Sequence, residues 1–70
     1  MVQKTADEIV QGDIIVTSNH DEHLVLKVSH KPDMTRLRTV EIATGMPKTR
    51  VWKHTRGYNV DTALSVLLAA

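Results

Sequence analysis

The chain has no cysteine and no phenylalanine, one tryptophan, one tyrosine and only three glycines. Without thiols, neither a disulfide nor a thiolate-held zinc can staple the fold. Without phenylalanine, the core has to be built from Ile, Leu and Val. The longest apolar stretch, near Leu64 to Ala70, falls far short of the ~20 residues that span a bilayer. The first residues lack the apolar centre of a secretory leader, so an intracellular, cytoplasmic, soluble protein is expected. No cysteine nucleophile, Gly-x-Ser-x-Gly elbow, phosphate-cradling glycine loop or dinucleotide fingerprint is present. Neither enzymatic activity nor a cofactor is expected.

Seventy residues make one domain, residues 1–70, near the lower size limit for a core without extra staples. The stretch Val10-Gln11-Gly12-Asp13-Ile14-Ile15-Val16 joins a glycine-aspartate corner to β-branched residues, the signature of a turn feeding a first strand. Just upstream, Thr5 and Glu8 have the spacing of a capping box, predicting one helical turn over residues 6–10. Asp13, at the strand entry, suits a carboxylate that accepts turn amide protons rather than a catalytic one.

Five strands are predicted. The first covers residues 13–17 and turns at Ser18-Asn19-His20-Asp21-Glu22. In the second, residues 23–29, Leu24, Leu26 and Val28 alternate onto one face. Lys31-Pro32-Asp33-Met34 breaks it. The third, residues 36–43, is apolar at Leu37 and then at Val40 and Ile42, a shift of phase that a β-bulge near Arg38 or Thr39 would produce. Thr44-Gly45-Met46-Pro47 turns the chain into a fourth strand, residues 48–55, and Arg56-Gly57 into a fifth, Tyr58-Asn59-Val60. Asp61 or Thr62 would cap a last helix over residues 63–70. The expected core is Ile14, Val16, Leu24, Leu26, Val28, Val40 and Ile42.

Short antiparallel strands with closely spaced turns suit a mainly β protein: a small SH3-like, partly open barrel with a short N-terminal helical turn and a short C-terminal helix. An oligonucleotide-binding Greek-key barrel is the alternative. The succession Gly12-Asp13-Ile14-Ile15, Leu24-Val25-Leu26-Lys27-Val28, Val40-Glu41-Ile42-Ala43-Thr44-Gly45 and Arg56-Gly57-Tyr58-Asn59-Val60 resembles the KOW-type first domain of the elongation factor P and 5A family. That resemblance implies the barrel. The modified lysine of the family sits in a glycine-bearing loop, whereas Lys31-Pro32-Asp33-Met34 has no glycine. In size and style the chain is also similar to small phage proteins.

Charge is segregated along the chain. Residues 1–26 hold one base against five acids, and residues 27–57 hold eight bases against two acids, balances of −4 and +6 within a net +1. A basic surface is the usual footprint of a polyanion, although strands also carry Lys and Arg simply as solvated faces. Lys48, Arg50, Trp52 and His54 alternate onto one face of the fourth strand, combining phosphate-binding cations with rings suited to base stacking; Trp52, the chain's only tryptophan, is equally suited to be the main filler of the core. With Arg36, Arg38, Lys53 and Arg56 they form the candidate site of an RNA- or DNA-binding barrel. The alternative is a protein-interaction module, such as a small regulatory or viral effector that binds a host protein through a strand edge or the last helix. In that case Leu64, Leu67 and Leu68 could also pair two protomers. His20, Asp21, Glu22 and His23 carry metal-type donors, but around a hairpin tip with no fixed geometry, so no metal site is expected.

Overall fold

The computed structural model describes residues 2–62. They form a mainly β protein: β1 (Val2–Thr5), β2 (Asp13–Val16), β3 (Glu22–His30), β4 (Met34–Glu41), β5 (Pro47–Lys53) and β6 (Gly57–Thr62). All six lie in one open antiparallel sheet of order β1-β6-β2-β3-β4-β5. No described helix is long and apolar enough to cross a membrane.

Four of the expected strands are β2 to β5, each shifted by a residue or two. The fifth is longer than expected, because Asp61 and Thr62 belong to β6, opposite Ile14 and Asp13. The segment with Leu64, Leu67 and Leu68 lies outside the described residues. β1 was not anticipated. Its partners are Gly57 to Val60 at the far end of the chain, a pairing with no local sequence signal. The helical turn between β1 and β2 is a single 3-10 turn, Ala6–Glu8. There Thr5 N–H donates to Glu8 Oε1 at 3.1 Å, and the Thr5 hydroxyl donates to the same oxygen at 2.7 Å. Gly12, at φ 93°, takes the left-handed conformation that glycine adopts without steric cost, and its N–H reaches Val25 O at 2.9 Å. Asp13 Oδ2 accepts from Val10 N–H at 3.0 Å and from Lys4 Nζ at 2.9 Å, closing the corner.

The core differs from the expected one by a face. Ile9, Ile15, Val25, Leu37 and Val60 form the buried cluster, with Val28, Trp52 and Tyr58 packed against it. Of the expected residues, Ile14 is buried and Val28 joins the cluster. Leu26 and Ile42 are 42% and 46% exposed. Val16, Leu24 and Val40 are half-buried, and their register with Glu22, Ile14 and Leu24 puts them on the opposite side of the sheet.

Two causes account for this. β2 and the start of β3 are apolar on both faces, so alternation there carries no phase. The β-bulge then sits in β3, one strand away from its expected place: Val25 faces Thr39, Lys27 faces Arg38, and Leu26 is the extra residue between them. Val25 and Val28 consequently share a face. β4 runs without interruption, because Thr35 and Thr39 are fully buried beside Leu37. The Thr39 hydroxyl donates to Lys48 O at 3.0 Å, and that of Thr35 meets His54 Nδ1 at 2.7 Å, so neither burial leaves a polar group unpaired.

Replacing Leu37 by alanine should cost about 2–5 kcal/mol, the range for emptying a fully buried leucine site. Replacing Leu26 should cost well under about 1 kcal/mol. Chemical denaturation of the two variants measures the difference, and equal losses would contradict the bulge at Leu26.

Candidate functional site

The sheet has two unlike faces, and the residues expected to form one site are divided between them. The face with the core, here the inner face, carries Lys48, Arg50 and Trp52 through their pairing with Thr39, Leu37 and Thr35. His54 follows just beyond β5 and also turns to Thr35. On the outer face of β3, β4 and β5 stand Lys27, Ser29, Arg36, Arg38, Thr49, Val51 and Lys53. Arg36, Arg38 and Lys53 are therefore brought together. Lys48, on the edge strand, lines a groove on each side of the sheet.

Trp52 is half-buried and stacks on Tyr58, with ring centroids 3.9 Å apart and planes inclined by 15°. The Arg56 guanidinium lies 4.4 Å from the Trp52 centroid and that of Arg50 lies 5.2 Å from it, cation–π contacts that occupy the indole. Tyr58 Oη and Arg50 Nε are buried without a hydrogen-bond partner among the described residues. Burial pushes the Tyr58 phenol well above its usual range and lowers the Arg50 guanidinium. His54 is held as well: its Nε2 donates to Lys31 O at 2.8 Å, and in the neutral ring Nδ1 accepts from Thr35. These side chains brace β5 against β6 and the β3–β4 turn. The indole is no open stacking platform.

The outer face is open. A shallow groove of about 540 Å³ runs between Lys27, Ser29, Arg36, Arg38, Lys48 and Thr49. Lys27 stands directly opposite Arg38, a like-charge cross-strand pair that costs stability. No carboxylate among the described residues lies within ion-pair distance of Lys27, Arg36, Arg38 or Lys53. Lys27 was missed at sequence level, because only the bulge turns it to this side.

A second groove, on the inner face, is lined by Asp21, His23, Glu41, Lys48 and Arg50 among others. His23 is buried, with Nε2 3.9 Å from Glu41 Oε2 and Nδ1 without a partner among the described residues. Among those residues, no three His, Asp or Glu side chains converge as metal ligands. No protein family, no curated protein and no solved structure matches the chain.

Burial, and then the positive charge of Arg50, hold the His23 imidazole below its ordinary pKa of 6.5, with Glu41 opposing. The unfolded chain therefore takes up this proton at a higher pH than the native one, and stability should fall as pH drops below about 6.5. Asp7 and Glu8, held below their ordinary carboxylate values chiefly by Thr5, lose their contribution only in a more acidic window. Thermal melts between pH 7 and pH 5 should show a shallower decline for His23→Gln than for the parent. Parallel curves would mean that His23 titrates normally in the fold.

Proposed function

We propose that this chain is a small non-enzymatic nucleic-acid-binding protein, with the outer face of β3, β4 and β5 as its contact surface. The observation that carries it is the cluster Lys27, Arg36, Arg38 and Lys53, four cations on one face with no carboxylate within ion-pair distance among the described residues. Setting like charges side by side raises the folding free energy, and a polyanion relieves that cost while releasing its own counterions. The proposal extends to a partly open SH3-like, KOW-like barrel. In its support, Ala6 N–H donates to Arg56 O at 2.8 Å, drawing the first turn against the β5–β6 corner.

Protein interaction is the second possibility, supported by the outer edge of β5. Among the described residues that strand pairs only with β4, so its remaining backbone groups could accept a partner strand. Pro47, Lys48 and Lys53 discourage indiscriminate pairing along this edge.

Electrophoretic shifts with a random-sequence oligonucleotide pool over a salt series would test the proposal. Arg38→Ala should reduce the slope of log K against log salt by about 0.9 and, by relieving the like-charge pair with Lys27, leave the melting temperature equal to or slightly above that of the parent. Arg50→Ala, which strips a cation from the Trp52 ring on the opposite face, should lower the melting temperature and leave the slope intact. A parent protein that binds no nucleic acid at low salt would eliminate the proposal in favour of a protein partner.

A further inference from the structure

We infer that the outer face holds the phosphate backbone of double-stranded DNA without reading its bases; this rests on the nucleic-acid binding proposed above and names its ligand. Single-stranded nucleic acid is gripped largely through its bases, which stack chiefly on aromatic side chains, with Arg guanidinium planes as a secondary platform. The chain has one tryptophan, one tyrosine and no phenylalanine. Trp52 and Tyr58 lie on the inner face, stacked on each other. His23, His30 and His54 share that side through their register with Ile15 and Thr35 and, for His54, its contact to Thr35. The four cations thus occupy a face with no ring on it.

The shape of the face points the same way. The basic cluster spans three strands, β3, β4 and β5, about 10 Å between the outer two at ~4.8 Å per strand spacing. The major groove admits a helix or a two-stranded ribbon, so a three-stranded face rides on the phosphates and does not enter to read base edges. Arg36 and Arg38 are two residues apart on β4, a step of ~6.8 Å. That step suits successive phosphates of an extended B-form strand better than the closer ones of A-form RNA. Lys27 and Lys53 flank them from the neighbouring strands, placing cations on either side of the line of phosphates.

The test is fluorescence anisotropy of the full chain with labelled DNA duplexes of two unrelated sequences, their separated strands, and an RNA duplex. Both DNA duplexes should bind equally and more tightly than the single strands or the RNA. Four phosphate contacts at ~0.9 each give a slope of about −3.6, or roughly a 100-fold loss of affinity between 50 and 200 mM salt. Trp52 emission should not change on binding. Arg36→Ala/Arg38→Ala should bring the slope to about −1.8, with circular dichroism as in the parent and a melting temperature no lower than the parent's. Tighter binding of single strands with quenching of Trp52, or preference for the RNA duplex, would overturn duplex DNA as the ligand and leave nucleic-acid binding standing. A marked preference between the two DNA sequences would overturn backbone-only contact. Binding to none of them at low salt would overturn both proposals.

Discussion

The organisation of the sheet turns on the extra residue at Leu26. A regular β3 would put Leu24, Leu26 and Val28 on one side, and the chain would have to choose between burying Val25 and burying Val28. With Leu26 inserted between the pairs Val25–Thr39 and Lys27–Arg38, both valines face Leu37 and Thr39. The same insertion sends Lys27 outward, opposite Arg38. One local irregularity therefore completes the core and assembles the basic face. A bulge also increases the local twist of its strand, which lets a sheet of short strands curl over a core as small as Ile9, Ile15, Val25, Leu37 and Val60.

β4 carries the consequence across the sheet. Its inner residues are Thr35, Leu37 and Thr39, and its outer ones Arg36 and Arg38, so it packs and presents charge in strict alternation. Threonine serves at the inner positions because its methyl group packs while its hydroxyl is spent on Lys48 O or on the His54 ring. Those two bonds tie β4 to β5 and to the residue beyond it. The stack of Trp52 on Tyr58 then ties the β5 side to β6. With so few large side chains, the chain uses its only tryptophan and its only tyrosine as a brace, and its outer face is left without a tryptophan or tyrosine ring.

Much of the fold was legible because its signals are local. The positive-φ glycine at position 12, the Thr5–Glu8 reciprocity and the amide-accepting Asp13 each depend on neighbours within a few residues, and β2 to β5 lie close to where their turn residues put them. What failed was phase and partnership. Ile14-Ile15-Val16 and Leu24-Val25-Leu26 are apolar on both sides, so hydrophobic alternation could not say which side is buried. Thr35 and Thr39, polar by type, hid the true period of β4. For the candidate site, proximity in sequence proved a poor guide. Arg50, Trp52 and His54 lie within a few residues of Lys53, yet the pleat assigns them to the other face, while Lys27 reaches the cluster only by strand pairing.

The near-zero net charge does not remove the basic face, because several of the acids are engaged away from it. Asp13 is committed to Lys4 and the Val10 amide, Asp7 and Glu8 to Thr5, and Glu41 faces His23 on the inner side. At physiological ionic strength a charge is felt over about 8 Å, a fraction of the 37 Å long axis of the molecule. Over that range the potential above Arg38 is set by Lys27, directly opposite it, and that above Arg36 by Lys53, two residues beyond its partner Val51, and not by the acidic first third of the chain. Part of the segregation of charge along the sequence thus survives folding: among the described residues, Asp7, Glu8, Asp13 and Glu41 meet partners away from β4's outer side, while Lys27, Arg36, Arg38 and Lys53 have no carboxylate within ion-pair distance.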